Sequence, residues 1–215
     1  MADYEDEQLE ALRRWWDENG RSVIVGAVLA IGLVAGWQGW EWYSDTQSEG
    51  AAAVYGQIQA QLPMGDADSI LDAAETLRDD FSRTNYATLG GLAAARVLVR
   101  DSDFEGAAEW LDWARDQARD PSLEAVATLR LARVLGEVGD TERALALLDE
   151  EPAAGWAALQ LEVRGDLLAA SGDYDAAAAA YEQALEADGE VTDREIVRLK
   201  RNRAEAGRAG RVTDS

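Results

Sequence analysis

Residues 22–40 read SVIVGAVLAIGLVAGWQGW and carry no charged side chain, in a chain of 215 residues whose formal net charge is −22. A helix of that length rises about 28 Å, close to the roughly 30 Å hydrocarbon thickness of a bilayer. Val23, Ile24, Val25, Val28, Leu29, Ile31, Leu33 and Val34 each favour insertion by about 0.3–0.6 kcal/mol, and no central charge opposes them. Trp15 and Trp16 precede the run, while Trp37, Trp40, Trp42 and Tyr43 close it, which places aromatic rings at both expected interfaces. A cleaved leader usually ends its shorter apolar core in small residues, whereas bulky aromatics and Glu41 follow here. The run is therefore expected to stay as an anchor, with a transmembrane helix over 22–43. Arg13, Arg14 and Arg21 lie before it, and Glu41, Asp45 and Glu49 after it. The positive-inside bias then leaves segment 1–21 in the cytoplasm and the C-terminal bulk outside it.

Within the span, Gly32 and Gly36 form a small-xxx-small pair of the kind that lets two membrane helices approach closely. Such a pair also arises simply because glycine is common in membrane helices.

The remainder is long enough to bury a core. It has three prolines (Pro63, Pro121 and Pro152) and long Ala-rich stretches without period-2 alternation, so the domain over 44–207 is expected to be all-helical. Comparing the chain with itself aligns SDFEGAAEWLDWA at 102, GDTERALALLDE at 139 and GDYDAAAAAYEQALEAD at 172. The aligned aspartates Asp103, Asp140 and Asp173 are 37 and 33 residues apart, the period of helix-turn-helix solenoids. Each is placed to cap the second helix of a hairpin. Ala107, Ala144 and Ala177 follow four residues later, and Leu111, Leu148 and Tyr181 four later still, which puts small and large apolar positions on one inward face. GGLAAARVLV, ATLRLARVLGEV and LQLEVRGDLLAA supply the first helices, with Gly165 as a close-approach point. An additional pair over 51–81 breaks near Pro63–Gly65 and restarts at the capping-box-like Ser69 and Asp72. A last helix near Asp193–Ala206 is expected to close the solenoid with Ile196, Val197 and Leu199, its basic residues Arg194, Arg198, Lys200, Arg201 and Arg203 facing solvent. The tail over 208–215 is expected to be disordered.

Composition excludes several chemistries. The sequence has no His and no Cys, so it has no thiolate nucleophile, imidazole base or Cys/His zinc site. Carboxylate pairs such as Glu162 and Asp166 fit a solvated helix face in an acidic protein, so the expectation is a non-enzymatic chain without a cofactor. With 42 acidic against 20 basic residues it lacks the positive field that nucleic acid requires.

The third repeat, with Gly165, Gly172, Ala177, Tyr181 and Ala184, resembles the tetratricopeptide repeat. Taken with RRWWDENGR at 13, a Gly-rich membrane helix, LRLARV at 129, GWAAL at 155 and RGDLL at 164, the whole chain resembles the YfgM family of ancillary Sec translocon subunits. The resemblance implies a single-span inner-membrane protein whose periplasmic tetratricopeptide-like domain helps hand exported proteins to periplasmic chaperones. Its implied partners are the Sec translocon, a membrane-anchored PpiD-type foldase and exported client proteins. The alternative is a membrane-anchored envelope scaffold that coordinates cell division or peptidoglycan synthesis.

Such repeats usually bind partners on the concave face lined by first helices. Equivalent positions there hold Arg96, Arg133 and Asp166, with Arg100 and Glu137 one turn on. The same residues admit a plainer reading, an i,i+4 pair between Arg133 and Glu137 along their own helix. Trp110 and Trp113 lie off the inward face. They are either exposed interface anchors or packed against a neighbouring repeat.

Overall fold

In the computed structural model, which describes residues 2–63, 65–189 and 191–213, the repeat turns are built three times in one way. The nine helices among the described residues are α1 (Ala2–Gln61), α2 (Ala67–Asp80), α3 (Asn85–Arg100), α4 (Phe104–Gln117), α5 (Pro121–Glu137), α6 (Thr141–Leu147), α7 (Ala157–Ala170), α8 (Tyr174–Glu186) and α9 (Arg194–Thr213). Where α3, α5 and α7 end, Ser102, Gly139 and Gly172 adopt φ of 65°, 85° and 84°. The next amide, from Asp103, Asp140 or Asp173, donates back to the carbonyl of Leu98, Leu135 or Leu168 at 2.8–2.9 Å. That left-handed closure satisfies the orphan carbonyls of one helix. The same aspartate then accepts from the backbone amide of Gly106, Arg143 or Ala176 and so caps the next helix. A three-residue connection both stops and restarts the helix, which explains why the aspartates mark the repeat.

The chain forms two compact units, 1–47 and 48–215. In the first, α1 from Asn19 on includes a stretch of mean hydropathy 1.8, none of it buried within the protein. Leu33 and Trp37 are 76% and 75% exposed. The helix is long and apolar enough to cross a membrane. Gly32 and Gly36 are open: a Cβ at either would meet nothing within 4 Å.

In the second unit each helix packs on its successor from α2 through α6, α7 packs on α5 and α6, and α8 and α9 follow in turn; α3 also touches α5. Ala107, Ala144 and Ala177 are fully buried, and Leu111, Leu148 and Tyr181 nearly so, as the repeat register requires. α6 is short and stops at Leu147; Glu151, just before Pro152, is disfavoured in helical backbone. Leu148 keeps its buried place from the capping position. Gly165 is a close approach between paired helices: a Cβ there would lie 2.5 Å from Tyr181 Cε1.

Three expectations are corrected. The cap of α2 is Asp66, which accepts from the Ser69 amide and from its hydroxyl at 2.7 Å; Ser69 is the third residue inside the helix and not its cap. In α9, Val197 and Ala204 are buried while Ile196 and Leu199 are 45% and 66% exposed. The inward stripe is one position out of register with the expected one. α9 also continues to Thr213, past its expected end at Ala206, so residues 208–213 are helical where a disordered tail was expected.

Candidate functional site

α3 and α5 lie side by side as the first helices of consecutive hairpins, and their facing residues form a groove of about 380 Å³. Leu92, Ala95 and Val99 of α3, Leu111 of α4 and Val134 of α5 make its apolar floor, and Arg96, Arg130 and Arg133 stand along it. The 37-residue repeat spacing brings Arg96 and Arg133 to equivalent places. Arg130 joins them from the preceding turn of α5. Burial of its stem, and after it the guanidiniums of Arg96 and Arg133, hold Arg130 below the usual guanidinium range. It nevertheless stays protonated, as arginine does in proteins. Among the described residues none of the three has an ion pair. In particular, Arg133 does not pair with Glu137, so the intrahelical reading of that pair is not realised.

Arg130 was not among the residues the repeat register singles out, because the equivalent residue of the earlier unit is Ala93. Its signal was its placement one turn behind Arg133 on a helix whose opposite face is apolar.

The other expected groove residues lie elsewhere. Arg100 donates to Asp101 at 3.0 Å and to the Gly65 carbonyl at 3.2 Å, tying the end of α3 to the turn before α2. Glu137 is exposed outside the groove lining. Trp110 is packed, at 9% exposure. Its ring meets Trp113 edge-on at 5.8 Å, and the Arg78 guanidinium lies 5.2 and 5.6 Å from the two rings, a cation–π arrangement that joins α2 to α4. Trp113 also closes over Gly91, where a Cβ would come within 3.2 Å of its ring. Both indoles are taken up by packing between neighbouring helices.

Asp166 and Glu162 are the largest departure. They do not form a solvated face. Glu162 is 1% exposed, and Lys200 of α9 donates to it and to Asp166, each at 2.9 Å. Thr192 N–H donates to Glu162 at 2.9 Å, and the Tyr181 hydroxyl donates to Asp166 at 2.8 Å. Burial pushes the Glu162 carboxyl up, but the Lys200 and Thr192 hydrogen bonds outweigh it and hold it below the ordinary range. Burial likewise pulls the Lys200 ammonium down, and its bonds to Asp166 and Glu162 outweigh that, leaving it raised. Tyr181 is raised by burial and then by Asp166, and stays a neutral donor. The chain's only lysine thus latches the last helix to α7. The basic residues of α9 do not form one solvated face, since Arg201 also pairs with Glu182 of α8.

The tetratricopeptide repeat-like domain family matches residues 13–206. Over 198 residues, 92% of this chain and 95% of that protein, the sequence is 32% identical to the ancillary SecYEG translocon subunit of Escherichia coli (strain K12). It is 29% identical to the protein of the same description in Aggregatibacter actinomycetemcomitans, over 92% of this chain and 96% of that one. For the Haemophilus influenzae protein of that description the identity is 27% over the same shares.

Proposed function

Because the chain belongs to the YfgM family of ancillary SecYEG translocon subunits, with a tetratricopeptide repeat-like domain, we propose that it is a non-enzymatic docking module tethered in the inner membrane beside the translocon. The observation that carries this reading is similarity through 92% of the chain, which takes in the apolar helix as well as the repeats. In this reading α1 crosses the membrane once, with Arg13, Arg14 and Arg21 on the cytoplasmic side, and the repeats stand in the periplasm. There the domain receives exported proteins as they leave the translocon and passes them to chaperones, with a membrane-anchored PpiD-type foldase as its partner.

The carboxylates best placed for acid–base work, Glu162 and Asp166, are engaged by Lys200 and Tyr181, which supports binding over chemistry. The groove on α3 and α5 is the docking site we assign to the module.

A photo-crosslinking residue in place of Val99, which lines the groove and is 37% exposed, tests the reading in intact cells while an exported protein is arrested in transit. Adducts with translocon subunits, a foldase or the arrested protein are expected. Adducts with division or peptidoglycan-synthesis proteins alone would overturn the assignment.

A further inference from the structure

The charge distribution identifies the kind of segment the groove takes. Elsewhere in the repeat domain several arginines meet carboxylates, Arg115 with Glu150 at 2.8 Å, Arg143 with Asp112 at 3.0 Å, Arg164 with Asp149 and Arg201 with Glu182, and Arg78 lies over two indole rings. What sets the groove apart is that three arginines without such a partner line one apolar floor. Along the groove, in a chain of net charge −22, the exposed side chains of Arg96, Arg130 and Arg133 line one floor, with Arg96 and Arg133 near enough to act on Arg130, and among the described residues none has a carboxylate partner. Like charges held together beside an apolar floor repel one another, and that repulsion is relieved when an anion enters. The floor of Leu92, Ala95, Val99, Leu111 and Val134 rewards apolar atoms in the same place. Its volume of about 380 Å³ leaves room for a bulky apolar side chain.

From this juxtaposition we infer that the groove binds an acidic protein segment that inserts a large apolar side chain between α3 and α5 while its flanking carboxylates bond Arg96, Arg130 and Arg133. Guanidinium forks suit planar carboxylates, and several such bonds beside a desolvated anchor give specificity as well as affinity. A segment with basic flanks is rejected by the same three charges. The inference rests on reading the groove as the docking site, and it names the chemistry of the occupant.

The test uses the full chain in phosphatidylcholine nanodiscs and a fluorescein-labelled synthetic peptide in which Leu alternates with Asp, compared with its Leu–Lys counterpart. Fluorescence anisotropy should show binding of the acidic peptide alone, weakening as salt is raised. Arg130→Glu and Arg133→Glu should each weaken it roughly tenfold or more, the loss of one charge-assisted contact. Val99→Glu, which puts a carboxylate into the groove from a partly exposed position, should weaken it without lowering Tm and so carries the test if an arginine variant unfolds. Equal binding of the two peptides, or acidic-peptide binding unchanged in these variants, would overturn the inference. Arginine-dependent binding of phosphatidylglycerol nanodiscs or of a second copy of the chain, without peptide binding, would also overturn it. Peptide binding without translocon crosslinks would instead count against the cellular assignment alone.

Discussion

Ser102 has a φ of 65°, the one positive value at a described residue other than glycine. Its counterparts Gly139 and Gly172 fill the same left-handed closing position without penalty, whereas an L side chain there costs about 1 kcal/mol or more. Ser102→Gly is therefore expected to stabilise the domain by about 0.5 kcal/mol and to raise Tm by about 1–2 °C, read by calorimetry. Gly165 makes the opposite demand. Because a Cβ would sit 2.5 Å from the Tyr181 ring, Gly165→Ala should cost about 1–3 kcal/mol of unfolding free energy in urea titration. Gly165 was legible in the sequence because it stands at the small-residue position of the repeat, held by Ala95 and Ala132 in the earlier units. Arg130 was not, because a register drawn from repeats finds equivalent residues and misses one that occurs in a single unit.

At the scale of elements, α9 shows how a buried ion pair escapes sequence patterning. Its inward stripe runs through Val197, Lys200 and Ala204, and Lys200 belongs there only because Glu162 and Asp166 of α7 wait for it. A lone lysine among arginines reads as solvent-facing until that tertiary contact is seen. Lys200→Met leaves Glu162 enclosed without its cation and should cost about 2 kcal/mol, below the roughly 3–5 of a fully buried pair because Lys200 keeps some exposure. The sign of the pH effect follows from the depressed Glu162 pKa. The unfolded chain binds the proton more readily, so this stabilisation is complete above about pH 4.3 and fades as pH falls toward the lower folded value. The stability difference between wild type and Lys200→Met, followed by urea unfolding, should accordingly shrink on acidification below about pH 4. A constant difference would separate Lys200 from Glu162. The three capped hairpins, by contrast, were readable in advance, because Asp103, Asp140 and Asp173 act through backbone amides three residues away. In α1, Gly36 faces open space in this chain; Gly36→Leu is expected to weaken a contact with another membrane helix, seen as reduced co-purification, while Tm of the repeat domain stays unchanged.

For the whole molecule, an apolar helix and a stacked-helix domain occur in one chain, and each makes sense of the other. A helix with Leu33 and Trp37 three-quarters exposed is costly in water and settled in lipid. In the proposed function, the repeat domain holds another protein through the groove lined by Arg96, Arg130 and Arg133. The overall class was legible because hydropathy and repeat period are local properties of the sequence, whereas the groove depends on which faces of α3 and α5 meet. The most direct measurement is native-gel analysis of the affinity-tagged full chain, extracted from its own membranes in mild detergent and probed for translocon subunits. The expected result is a band in which the chain and the SecYEG subunits migrate together. Recovery of the chain from the cytosol without detergent, or its migration free of SecYEG at every detergent tested, would contradict the tethered docking role.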